Sequence, residues 1–491
     1  MGAMTAARAR SLAAAVVVLV CAFALAGLPM SALSTRVERF VADVVLLAGD
    51  VLADPVSVDM GWVMGGTFDP DPVAAGYYQT VVDGILQHSV NFNADAVVSP
   101  LWTPEQVWPL FGDLTFGESV DQGAAILKTA ILQGGGTLQQ IPGYPIPGPL
   151  GNADTGVVFG YSQSATAATK AMGALHQGLA HPENLHFVLA GNPNNPLGGI
   201  LTRFDFPDSP ITGAARTVPL LNIPLGIGPT PTDLFPTDIY TAEYDGWASF
   251  PQDPTNLLAD LNALAGILTV HSVYKDLDPA DAFVLGTADQ TVFHMIPTKE
   301  LPILWPLYQL GEPGKVLASA LEPGLRLGIN WGYGNPGMAF DGVGADGIGP
   351  WAVNALGDLS AIQSDQFVAG SGSAGFLPMM DPLQMLMGIQ EAGAHTFLNP
   401  VEDIFDLAGL GTVPAWFTDA LHLPIGLTQS IDQWVMAGWN DLITSLDLST
   451  LFGTGLLWHE IFDGLPLISG APVMAGVGLV FDLLNAVIPI P

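Results

Sequence analysis

Between residue 57 and about residue 335, short apolar runs alternate with longer stretches whose apolar residues return at helical spacing. Residues 57–64 read as a strand that enters a turn at Gly65-Gly66-Thr67. Residues 94–98 read as a second strand, closed by Ser99-Pro100. The run Thr155-Gly156-Val157-Val158-Phe159-Gly160 is apolar without alternation, as expected of a strand covered on both faces. Residues 186–191 and 238–244 add two more strands, separated by a Pro-rich excursion over about 193–236. Between strands, residues 118–132 place Val120, Ala124, Leu127 and Ile131 on one helical face. Residues 163–179 form an Ala-rich helix, and residues 256–268 a third. This alternation predicts an α/β fold, a parallel sheet with helices on both faces.

From about residue 336 the texture changes to Gly-rich loop and then apolar helix, which predicts a separate, mainly helical C-terminal lobe over 336–491. Its clearest helix covers 427–446, with Leu427, Ile431, Trp434, Val435, Leu442, Ile443 and Leu446 on one face. The apolar stretch at 470–481 is too short to span a membrane and runs into Asp482. At the other end, Arg8 and Arg10 precede an uncharged apolar run over 12–28, and Ala24-Leu25-Ala26 offers a small-x-small cleavage site. Residues 1–30 are therefore expected to export the chain to the cell envelope or beyond. They do so either as a cleaved signal or as a retained anchor, with 31–56 as a connector.

Charge narrows the partners. The 491 residues carry 12 Lys and Arg against 46 Asp and Glu, a net charge of −34, and no base follows Arg326. Such a surface repels phosphate backbones, so nucleic acid is excluded as a partner. Any membrane contact has to be apolar. The single cysteine, Cys21, lies inside the apolar run, which removes disulfides, thiol catalysis and thiolate metal sites from consideration. Nothing implies a cofactor or a metal.

The candidate chemistry centres on Gly160-Tyr161-Ser162-Gln163-Ser164, between a buried strand and a helix. A serine on such a tight turn projects its hydroxyl from the sheet edge, and its crowded neighbours must be small. The helix aims its N-terminal amides at the same point, making the Gln163 amide a candidate oxyanion donor. Gly66 and Thr67, in the loop after the first strand, are candidates for the second donor. Ser371-Gly372-Ser373-Ala374-Gly375 matches the same pattern but has no apolar strand before it. In this fold the acid and the histidine follow the serine, and Asp245 and His271 fit that order. Asp289 with His294, or His395 as the base, remain open alternatives on spacing alone.

Several motifs in order resemble the PE-PPE domain of mycobacteria and relatives. They are Gly65-Gly66-Thr67, Trp108-Pro109 with 112–117, the serine motif, Gly191-Asn192-Pro193 with Gly198-Gly199-Ile200, Tyr244-Asp245-Gly246, residues 256–266, His271 and 295–298. The resemblance covers about 57–335 and implies a cutinase-like α/β-hydrolase whose members act as esterases or as acyltransferases of envelope glycolipids. It implies Ser162, Asp245 and His271 as the triad, and His271-x-x-Tyr274 is similar to the histidine loop of cutinases. The chain departs from the family at Phe68 and Asp69, where Gly and Asn are expected, and it carries an export segment in place of a PE or PPE module. The expected substrate is a lipid acyl ester, cleaved or transferred to a sugar hydroxyl. A non-catalytic lipid-binding role on the same fold is the alternative.

Overall fold

The computed structural model describes residues 56–333, 382–446 and 471–488, apart from a few single or paired loop positions. Residues 1–30, expected to direct export, and the Ser371 motif lie outside the described residues. Seven strands form the central sheet. They are β1 (Val56–Val63), β2 (Val90–Pro100), β3 (Gly156–Tyr161), β4 (Leu185–Ala190), β7 (Thr237–Ala242), β8 (Phe283–Ala288) and β9 (Thr291–Ile296). Their order is β2-β1-β3-β4-β7-β9-β8. Every neighbouring pair is parallel except β8 and β9, which form an antiparallel hairpin at one edge. A small hairpin of β5 (Thr217–Val218) and β6 (Ile223–Pro224) lies within the Pro-rich excursion.

The central strands β3, β4 and β7 are buried almost throughout, which accounts for their unbroken apolar character. Alternate residues serve two cores. Trp62, Val158, Phe187, Leu189 and Ile239 face one, and Val63, Val157, Phe159, Val188 and Tyr240 face the other. The first core is covered by α1 (Phe116–Leu132) and α2 (Gln163–Gly178). Helix α1 starts at a capping box in which the Thr115 hydroxyl accepts from the Glu118 amide and the Glu118 carboxylate accepts from the Thr115 amide. Helix α3 (Leu257–Thr269) is capped by Asn256, whose side chain accepts from the Ala259 amide.

Helix α4 (Glu312–Tyr333) lies beside α3 and also packs against α5 (Pro382–Ala408), which in turn packs on α6 (Ala415–Ser445). The last helix, α7 (Ala471–Val487), seats on the β5–β6 hairpin. There Asp482 accepts two hydrogen bonds from Arg216, at 2.8 and 2.9 Å, with both side chains buried. Asn485 pairs with Thr217, and Phe481 meets Phe206. No helix among the described residues is long and apolar enough to cross a membrane.

The apolar stripe expected on one face of α6 is mostly at the surface. Ile443 is buried, but Leu427, Ile431, Leu442 and Leu446 are exposed and Trp434 is 77% exposed. Helical periodicity reports that one face is apolar; it carries no information about what, if anything, covers that face.

Candidate active site

Strand β3 ends at Tyr161, and Ser162 turns the chain into α2 with φ +57° and ψ −114°. A non-glycine residue is strained there, and the surroundings hold it. The Ser162 amide donates to the Ala190 carbonyl, and the Ser162 carbonyl accepts from Ala165 and Thr166. Ser164 is more than small. Its hydroxyl accepts from the Tyr161 amide at 2.8 Å and donates back to the Tyr161 carbonyl at 3.1 Å, closing the turn.

Asp245 follows β7 on a turn that begins with Tyr244 in the left-handed region, φ +63°. Its carboxylate is fully buried and meets His271 Nδ1 at 2.8–2.9 Å, while His271 Nε2 is 2.7 Å from Ser162 Oγ. Three elements far apart in sequence thus bring Ser162, His271 and Asp245 into one hydrogen-bonded line. Ser162 and His271 are about nine-tenths buried, at 9% and 8% exposure.

The open alternatives do not assemble. Asp289 sits in the β8–β9 turn and accepts from the Thr232 hydroxyl at 2.6 Å. His294 lies on β9 and points Nε2 at Asp238, 2.6 Å away. His186 approaches the other oxygen of Asp238 at 2.8 Å. Burial alone would raise the Asp238 pKa, but the two imidazoles outweigh it and hold the carboxyl well below the usual range. His395 is on α5, bonded to Asn399 and edge-on to His422.

The proposed oxyanion residues converge on the same turn. Gln163 is the first residue of α2, and its buried side chain donates to the Gln106 carbonyl at 2.8 Å. The Thr67 hydroxyl lies 3.5 Å from Gln163 Oε1, so loop 65–69 reaches the elbow. A glycine at position 66 lets the backbone come close to a substrate, which is what a candidate oxyanion donor needs. A Cβ on Gly66 would lie 2.6 Å from Tyr161 Cδ1, so the missing side chain also makes room for that ring. Behind the loop, the Phe68 amide donates to the Glu105 carbonyl, and the Glu105 carboxyl is fully enclosed. Burial, with help from Asp69, pushes its pKa up to about 8 against the hydrogen bond from Thr103.

Sequence reasoning also missed Tyr161, a variable position in the serine motif. Its ring stacks on His271 with centroids 5.4 Å apart, and its hydroxyl donates a short hydrogen bond to the His271 carbonyl. Gly191 follows β4 with φ +54°, and a Cβ there would meet Tyr274, His271 and Tyr161 at 3.0–3.2 Å. That glycine was visible in the sequence, and its left-handed turn was the available signal for a crowded site. No group of three His, Cys, Asp or Glu among the described residues is arranged to hold a metal ion.

Residues 94–334 match the family model described as the PE-PPE domain. The uncharacterized PPE family protein PPE28 of Mycobacterium tuberculosis is 39% identical over 57% of this chain and 40% of its own length. Esterase PE16 of the same organism is 38% identical over 56% of this chain and 49% of its own. The chain therefore spans half or less of these two relatives. Diacyltrehalose acyltransferase Chp2, also from that organism, is 22% identical over 57% of this chain and 78% of its own length. No solved structure matches. Ser162, Asp245 and His271 all fall inside the matched region, whereas β1 and loop 65–69 precede it. Residues 94–334, on a mostly parallel α/β fold, thus carry a PE-PPE domain.

Proposed function

We propose that this protein is an exported serine hydrolase or acyltransferase that works on lipid acyl esters through an acyl-Ser162 intermediate. The observation that carries this reading is the continuous line Ser162 Oγ–His271–Asp245 at the carboxyl edge of the sheet. His271 Nε2 accepts the serine proton as Ser162 Oγ attacks the ester carbonyl, and Asp245 holds the imidazole tautomer with Nδ1 protonated. The oxyanion that develops is met by the Gln163 amide at the α2 N-terminus, with Thr67 and Gly66 on the opposite loop. Collapse expels the alcohol, which takes its proton from His271. Water or a sugar hydroxyl then gives up a proton to His271 and attacks the acyl-serine, and His271 returns that proton to Ser162 Oγ as it leaves.

A relative named as an esterase and one named as a diacyltrehalose acyltransferase support both acceptors. In this reading, residues 1–30 carry the chain out of the cytoplasm, and the C-terminal lobe contributes to acyl binding. The test is a fluorophosphonate probe with p-nitrophenyl esters on the purified protein. Wild type takes up label and cleaves ester, Ser162→Ala does neither, and Ser373→Ala behaves as wild type. Labelling that persists in Ser162→Ala rejects the nucleophile.

A further inference from the structure

Resting on the reading of Ser162 as nucleophile, we propose that Tyr274 is a positioning residue that orients Asp245 and sets how strongly it holds the proton on His271. The hydroxyl of Tyr274 lies 2.8 Å from Asp245 Oδ2 and 2.8 Å from the Ala242 backbone nitrogen. The amide of Ala242 can only donate, so it occupies a lone pair of the phenol oxygen. The phenol proton is thereby left to point at the carboxylate.

Asp245 receives three kinds of donor. The Trp247 amide reaches Oδ1 at 2.9 Å, His271 Nδ1 reaches both oxygens, and Tyr274 reaches Oδ2. Acid and phenol are both buried, so no solvent replaces the Tyr274 bond if it is removed. Burial and the neighbouring Asp245 charge both push the Tyr274 pKa well above its ordinary value, so the phenol stays a donor across the working pH range. The other titratable groups facing this cluster are Tyr161, stacked on the imidazole, and Tyr333, which is within electrostatic reach of Asp245. Neither has a hydrogen bond to the carboxylate among those described. Tyr274 lies on the same short turn as His271, residues 271–276, so one segment delivers both the base and the donor that steadies its acid.

The sign of the effect follows from charge. A phenol donor spreads the Asp245 charge, and removing it leaves that charge more available to the imidazolium. His271 should then hold its proton to higher pH, which moves the acid limb of kcat/KM upward.

The experiment measures kcat, KM and the pH dependence of kcat/KM for a p-nitrophenyl ester, together with fluorophosphonate labelling rates. It uses full-length wild type, Tyr274→Phe and Tyr274→Leu. Tyr274→Phe keeps the ring and loses only the hydroxyl. It should lower kcat about tenfold with KM within twofold, and move the acid limb up by about half a pH unit. Tyr274→Leu should show at least the same shift, with a lower melting temperature from lost packing. A Tyr274→Phe profile superimposed on wild type overturns the assignment, and so does a loss of rate with an unmoved limb, which marks a packing role alone. Absence of label on wild type overturns the underlying reading of Ser162 instead, so the two failures are distinguishable.

Discussion

Ser162 at φ +57° and Tyr244 at φ +63° are strained residues immediately at or before candidate catalytic groups; the Ser162 amide is held by the Ala190 carbonyl of β4, and the buried Tyr244 hydroxyl donates to Asn330. The sequence made the serine turn legible because a buried strand, a small residue two places before and after, and a helix are all local signals. Asp245 and His271 were legible as candidates only, since nothing local separates them from Asp289 and His294. Their choice depends on which strands become neighbours. Glu105 was not legible at all, because a lone Glu in a loop reads as a solvated charge. Its enclosure yields a sign-definite prediction. A carboxyl with a pKa near 8 when folded, and an ordinary value when unfolded, binds more protons in the native state between those two values. Stability attributable to Glu105 therefore falls as pH rises from the ordinary carboxyl range to about 8 and is level beyond it. Glu105→Gln should flatten this slope and gain on wild type by a few kcal/mol, on the order expected for a shift of several units, between pH 5 and pH 9. Urea denaturation at the two pH values measures it.

At the scale of elements, the strands covered on both faces were the ones that could be read, because burial on both sides leaves an apolar run with no alternation. Strand β2, Val90–Pro100, is longer than the 94–98 that the sequence predicts. It lies at the sheet edge, and its exposed Asn91, Asn93 and Asp95 look like loop. The β8–β9 hairpin offers Asp289 as an alternative acid on sequence alone, because Gly286 and Asp289 are turn formers wherever they occur. Helix α7 was seen only as an apolar stretch that meets an acid, yet that acid is what seats it. Asp482→Ala should cost about 3 kcal/mol by leaving Arg216 buried and unpaired. Replacing both, as Arg216→Met with Asp482→Leu, should recover most of that loss. Thermal or denaturant unfolding of the three variants checks both statements, and full stability in Asp482→Ala would show that Phe481 and Asn485 hold the helix unaided.

For the whole molecule, the uneven use of apolar surface matters most. The sheet domain encloses most of its large side chains, while α5 and α6 expose many of theirs, including Trp416 at 71% and Trp434 at 77%. Exposed apolar side chains in such number favour association in water. Trp416→Gln combined with Trp434→Gln should leave the melting temperature nearly unchanged, since neither ring is buried, and should reduce self-association in light scattering. A large drop in melting temperature would mean that these rings support the fold.

The Arg216–Asp482 pair also ties folding to synthesis, because its two partners are 266 positions apart in the chain. At roughly 5–20 residues per second, the ribosome delivers Asp482 about 13–50 s after Arg216. Throughout that interval the β5–β6 hairpin carries a guanidinium whose final partner has not been made. The hairpin can reach its native surroundings only after residue 482 has emerged. A nascent chain stalled before residue 482 would hold the candidate active site intact in sequence and still present an unfinished face to chaperones and proteases.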